Sequence, residues 1–321
     1  MTKTRNRPPF DPELEAVLVT VRDLLPPTIT PEMIPILRST SVTPPLEELI
    51  AGHDVSHREV TIAGHEGAEI VLSIFSRTDH TGAGPGIFHI HGGGMITGDR
   101  FTGIEVMIDW IERFDAVCVS IEYRLAPEFP DPYPVEDCYA GLAWTAEHAQ
   151  DLGIDASRLL ITGASAGGGL AAGVTLLARD RLAPALLAQV LIYPMLDDRN
   201  QTVSSHQVDG EGVWDRTSNF TGWNALLGSR RGTDDVSIYA SPARATDLSG
   251  LPPTFIDVGS VEVFRDEDVA YASQIWADGG IAELHVWPGG FHSFDLLAPQ
   301  TAMAKAMVAV RTAWVARMLE A

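Results

Sequence analysis

Leu159-Leu160-Ile161-Thr162-Gly163-Ala164-Ser165-Ala166-Gly167-Gly168-Gly169-Leu170 runs from an apolar strand pattern, through a serine flanked by two glycines, into a helix that opens on small residues. A serine hydroxyl is a poor nucleophile unless it is lifted out of its sheet, set beside a base and faced by preorganised donors. A sharp strand-to-helix turn does the lifting. Glycines at 163 and 167 keep β-carbons away from the neighbouring strand and helix, and Ser165 then lies at the positive end of the helix dipole. The pattern Gly-x-Ser-x-Gly alone arises by chance in roughly one chain in ten of this composition, so its context has to carry the reading.

Two further segments supply that context. His91-Gly92-Gly93-Gly94 follows the strand-like Gly86-Ile87-Phe88-His89-Ile90. Three successive glycines let backbone N–H groups converge on one oxygen, and Gly93 and Gly94, with the N–H of Ala166, are the expected oxyanion donors. His91 itself reads as a neutral ring that hydrogen-bonds within its loop. The second segment, Pro288-Gly289-Gly290-Phe291-His292, follows the strand pattern Ala282 to Trp287 late in the chain, where the base belongs in the order serine, acid, histidine. Of the ten histidines, His292 is therefore the candidate base. The acid should lie just past the strand Pro253 to Gly259. Glu262 stands on the turn and is favoured. Asp257 within the strand, Asp266 as a cap of the next helix and, more remotely, Asp268 compete with it.

Eight strand-like segments stand at about 58–63, 68–77, 86–90, 116–122, 158–162, 188–193, 253–259 and 282–287. The first two alternate in polarity as an antiparallel pair does, and the others read as buried parallel strands. An eight-stranded, mostly parallel sheet with helices on both faces follows. Two stretches fall outside this alternation. Residues 1–55 hold a helix opened by Asp11-Pro12-Glu13, with Leu14, Val17, Leu18, Val21, Leu24 and Leu25 on one stripe before Pro26-Pro27, and a short helix from Thr30-Pro31. Residues 197–230 are an insertion in the domain spanning 56–321, with Trp214, Phe220, Trp223, Leu226 and Leu227 at helical spacing. Because the insertion leaves the carboxyl edge of the sheet, the two stretches are expected to pack together as a helical cap over the site. Met95 and Trp214 are the candidate pocket walls.

The 321 residues include 43 Asp and Glu against 22 Lys and Arg, a net charge of −21 that argues against nucleic acid or an anionic membrane as partner. Met1 to Pro9 lacks an apolar signal region and no apolar run reaches spanning length, so a cytoplasmic, soluble protein is expected. Cys118 and Cys138 read as buried thiols. No metal-ligand cluster, Walker loop or dinucleotide fingerprint is evident, and the expected chemistry needs no metal and no cofactor.

With these motifs the chain resembles the hormone-sensitive-lipase-like bacterial esterases, the family IV or α/β-hydrolase fold-3 group, from about residue 55 onward. Tyr123-Arg124-Leu125-Ala126-Pro127-Glu128, Tyr193-Pro194-Met195-Leu196-Asp197, Ser241-Pro242-Ala243-Arg244 and Leu251-Pro252-Pro253 carry the likeness. The family usually has Asp-Pro-Leu-x-Asp at the acid. Here the segment reads Glu262-Val263-Phe264-Arg265-Asp266, and the alignment sets Glu262 on the acid position. The resemblance implies an α/β-hydrolase fold, a serine carboxylesterase acting on a small-molecule, short-acyl ester, a homodimer through the last strand and C-terminal helix, and a structural Arg124–Glu128 ion pair joined by Asp137. The same machinery also cleaves lactones and amides, and related plant receptors keep the pocket without catalysis; these are the alternatives.

Overall fold

The structure is a computed structural model that describes residues 6–22, 26–40 and 43–320. Its strands are β1 Val55–Ala63, β2 Glu69–Arg77, β3 Gly84–Ile90, β4 Val117–Glu122, β5 Ile154–Ala164, β6 Ala188–Ile192, β7 Thr254–Gly259 and β8 Ala282–Trp287. They form one eight-stranded sheet in the order β1-β2-β4-β3-β5-β6-β7-β8. β2 is antiparallel to both β1 and β4, and every pairing from β4 to β8 is parallel. The antiparallel first pair and the buried central strands are as the sequence leads one to expect, whereas β8, expected to be buried, is only half-buried because it forms the edge of the sheet. β3 and β5 are buried where they cross the core, because helices cover both faces of a parallel sheet.

Strand order decides where chemistry can sit. From β3 the chain moves outward to β4, then returns across β3 to β5, so the connections leaving the carboxyl ends of β3 and β5 go opposite ways. That divergence opens a crevice at the carboxyl edge. Ile90 at the end of β3 pairs with Gly163 at the end of β5, which sets His91-Gly92-Gly93-Gly94 beside Ser165. The register Gly259↔Trp287 likewise brings the loops after β7 and β8 together at the same edge.

The helix Pro12–Val21 is capped by Asp11, whose carboxylate accepts the N–H groups of Glu13 and Leu14, and it buries Leu14 and Leu18. Leu24 and Leu25, expected on the same stripe, lie outside the described residues. A 3-10 turn at Pro31–Met33 leads into the helix Ile34–Ser39. Between β6 and β7 the helices Val203–Gln207 and Arg216–Leu227 bury Trp214, Trp223, Leu226 and Leu227, whereas Phe220 is only half-buried, with Arg216 and Arg231 each 4.6 Å from its ring centre. The N-terminal segment meets this insertion directly. Thr28 donates to Asp215, the Ile29 N–H to Ser218, Thr221 to the Ile29 carbonyl, and Arg7 pairs with Glu211. The C-terminal helix Ala302–Glu320 buries Met307 and Trp314 against the sheet, Trp314 with its ring 5.5 Å from that of Phe255. Its apolar stripe is thus a docking face within the chain.

Candidate active site

The backbone at Ser165 departs from ordinary geometry, with φ +59° and ψ −122°. A non-glycine residue holds such a conformation only when its surroundings over-determine it. They do so here. The Ser165 N–H donates to the Ile192 carbonyl at 2.8 Å, and the Ser165 carbonyl accepts from Gly169 at 3.0 Å and Met195 at 2.9 Å. Neighbouring strands leave no room beside the turn. A β-carbon at Gly167 would come within 2.1 Å of the Ile90 carbonyl oxygen.

The three side chains expected to act together are brought together. Ser165 Oγ lies 3.0 Å from His292 Nε2, and His292 Nδ1 lies 2.6 Å from Glu262 Oε2. A carboxylate can only accept, so Nδ1 carries the ring proton and the Nε2 lone pair receives the serine hydroxyl. The other oxygen of Glu262 accepts the Gly259 N–H at 2.8 Å, which fixes the carboxylate from the end of β7. Burial is the main influence on Glu262 and pushes its carboxyl up, while His292 opposes this. The imidazole packs in T-shaped contact with two rings, Tyr193 at 4.8 Å and Phe264 at 5.2 Å between centroids. Ser165 and His292 are each 7% exposed, so the pair is largely shielded from solvent.

None of the rival acids bonds to the imidazole. Asp257 and Asp295 both contact the guanidinium of Arg311, which is buried beneath the site, and burial pushes the Asp257 carboxyl up to about 7. Asp295 also accepts the Tyr193 hydroxyl at 3.0 Å. Asp266 corrects its expected role as a helix cap. The helix runs Arg265–Ala277 with Phe264 at the cap position, and the Asp266 carboxylate accepts the Ser204 N–H at 2.7 Å, reaching into the insertion. Asp268 is fully buried, and neither of its oxygens has a partner among the described residues.

The glycine loop stands over the serine. A β-carbon on Gly92 would lie 3.4 Å from Ser165 Cβ, and one on Gly94 would run into the Trp214 ring at 2.3 Å. Gly93 and Gly94 have φ of +109° and +63°, a region that favours glycine. Among the described residues the N–H groups of Gly93, Gly94 and Ala166 take part in no hydrogen bond. His91 stacks on Tyr123 at 4.2 Å, its Nδ1–H reaches the Gly92 carbonyl at 2.8 Å, and burial lowers its pKa to about 4, so the ring is neutral and braces the loop. Met95 is fully buried, with its carbonyl accepting the Ala126 N–H at 2.9 Å. The expected Arg124–Glu128 pair does not form. Arg124 is taken by the buried Asp137 in two bonds of 2.7 and 2.8 Å, and Glu128 pairs with Arg38, a contact that no local sequence signal announces.

This fold, with a strained serine elbow after its fifth strand, defines the class of α/β hydrolases. Residues 87–296 match the family model described as the alpha/beta hydrolase fold. The chain belongs to that family, within its hormone-sensitive-lipase-like esterase group. It is 32% identical over 309 residues to the carboxylesterase NlhH of Mycobacterium tuberculosis, covering 93% of each chain. Esterase LipI of the same organism is 33% identical over 63% of this chain, a match that spans only 62% of LipI itself. Among solved structures, a bacterial heroin esterase superposes with a TM-score of 0.89 at 36% identity, covering 97% of this chain and 98% of that one.

Proposed function

We propose that the chain is a serine carboxylesterase that hydrolyses small, short-acyl esters through an acyl-enzyme. The observation that carries this reading is the hydrogen-bonded line from Glu262 through His292 to Ser165, beside three backbone N–H groups that have no acceptor among the described residues. Relatives named as carboxylesterases support the class of reaction. Ser165 attacks the ester carbonyl as His292 Nε2 takes its proton, and Glu262 orients the ring and stabilises the imidazolium. The N–H groups of Gly93, Gly94 and Ala166 receive the negative oxygen of the tetrahedral intermediate. His292 then protonates the leaving alcohol, and water activated by the same nitrogen releases the acid.

The short-acyl limit rests on enclosure. The slight exposure of Ser165 and His292, the burial of Met95 and the Trp214 ring against Gly94 favour a confined pocket over an open landing surface. On this reading the N-terminal segment and the 197–230 insertion form one cap. Two free, buried thiols at Cys118 and Cys138 are in keeping with a cytoplasmic setting. The homodimer is proposed through β8, an edge strand with Ile281 and Val286 exposed beside it and on it. Among the described residues no helix is long and apolar enough to cross a membrane.

The test is the initial hydrolysis rate on p-nitrophenyl esters from acetate to palmitate, with Ser165→Ala as control. The expected result is a short-chain maximum that the variant abolishes. No rate above the control on any ester overturns the esterase reading, and a long-chain maximum at an interface overturns the short-acyl limit.

A further inference from the structure

The glycine loop is held from inside and outside. Inside, the Gly93 carbonyl accepts the N–H groups of Ile96 at 3.1 Å and Thr97 at 3.0 Å, which closes residues 93–97 on themselves. Outside, two carbonyls of the loop are anchored. Met95 accepts the Ala126 N–H at 2.9 Å, and Ile96 accepts Nε–H of Arg38 at 2.7 Å. The same guanidinium donates through Nη2 to the Ala126 carbonyl at 2.6 Å and through Nη1 to Glu128 at 2.9 Å. One external anchor is therefore Arg38 itself, and the other is the N–H of Ala126, a residue whose own carbonyl Arg38 binds.

Arg38 lies on the helix Ile34–Ser39 of the N-terminal segment, 58 residues away in sequence from the carbonyl it binds. We infer that Arg38 is a positioning residue, which holds the loop of Gly93 and Gly94 in register over Ser165 and so makes the N-terminal segment a working part of the oxyanion site. A planar fork of five donors can bind Ile96, Ala126 and Glu128 at once, which a single ammonium on a flexible stem cannot do with the same geometry. The kinetic consequence rests on the esterase reading above. The loop-holding claim does not.

The experiment compares the full-length wild type with Arg38→Met, Arg38→Lys and Glu128→Gln. On p-nitrophenyl butyrate, Arg38→Met is expected to lower kcat about 10- to 100-fold, less than the ~10²–10³ of deleting an oxyanion donor outright, with KM changed by no more than about 3-fold. Arg38→Lys should recover part of the loss. Glu128→Gln, which removes an exposed ion-pair partner that does not touch the loop, should stay within about 2-fold. Amide hydrogen exchange read by mass spectrometry should quicken in residues 92–97 of Arg38→Met and stay unchanged in β5 and β6. A raised KM with unchanged kcat, or unchanged exchange in 92–97, overturns the inference. If the wild type hydrolyses no ester, the esterase reading fails, and the exchange comparison alone decides the role of Arg38. Should Arg38→Met not fold, Arg38→Lys carries the same comparison with a smaller expected change.

Discussion

Glu262 lies 2.6 Å from His292 Nδ1, whereas Asp266, four residues on, turns its carboxylate to the Ser204 N–H in the insertion. One short turn thus offers two acids and only one of them meets the imidazole. Glu262→Ala should lower kcat on a short ester by about 10³–10⁴, because members of such a line act as a unit. Asp266→Ala should cost less than about 10-fold, through a loosened insertion. Steady-state kinetics on both variants settles the order, and a larger loss in Asp266→Ala reverses the assignment.

Trp214 fills the space that a side chain on Gly94 would need. Gly94→Ala must displace either the indole or the loop, and a shift of about 1 Å at reacting groups costs about 10²-fold in rate. Trp214→Ala by itself should extend the accepted acyl chain. In the double variant the indole is gone, so the combined loss in kcat should be smaller than the product of the two single losses. Simple multiplication of the two effects, measured in one ester series, counts against this contact.

Arg311 is the buried cation shared by Asp257 and Asp295. Arg311→Met leaves two buried carboxyls without it, and removal of one partner from a buried ion pair costs about 3–5 kcal/mol. A urea titration should show the midpoint fall accordingly. The Tyr193 ring, held by Asp295 and set against His292, should loosen in the same variant and lower kcat as well.

Among the described residues Asp268 has neither ion-pair nor hydrogen-bond partner, and burial, reinforced by Glu267 and Glu262, holds its carboxyl well above the usual range. A group with a raised folded pKa contributes fully below its unfolded value of about 3.9 and loses that contribution as pH rises toward the folded value. Asp268→Asn or Asp268→Leu should therefore raise Tm by a few °C at pH 8 and by less at pH 5. Calorimetry at the two pH values checks the sign, and a larger gain at pH 5 would contradict it.

The parallel core and the serine elbow were legible because both are local. Apolar runs such as Val117–Glu122, and glycines demanded by backbone contact at 163 and 167, leave their mark within a few residues. Glu262 was legible by its place on the turn after β7. Arg38 was not, since its three partners lie 58 to 90 residues away and nothing in Ile-Pro-Ile-Leu-Arg marks a loop anchor. The misread Arg124–Glu128 pair has the same cause. Four residues apart on a loop, the two have no reason to meet, and the buried Asp137 on the following helix makes the better partner. Asp266 lies inside the helix rather than at its cap because the helix opens two residues earlier than that cap signal implies.

Asp11 donates its N–H to the carbonyl of Gly289, in the loop that carries His292, and a β-carbon on Gly289 would lie 2.2 Å from that same nitrogen. The leading stretch of the chain therefore touches the base loop near its start and the glycine loop at Arg38. A fusion ahead of residue 10 would therefore adjoin a stretch tied to both the His292 loop and the glycine loop. A tag or reporter placed after the helix Ala302–Glu320 leaves both of these ties untouched.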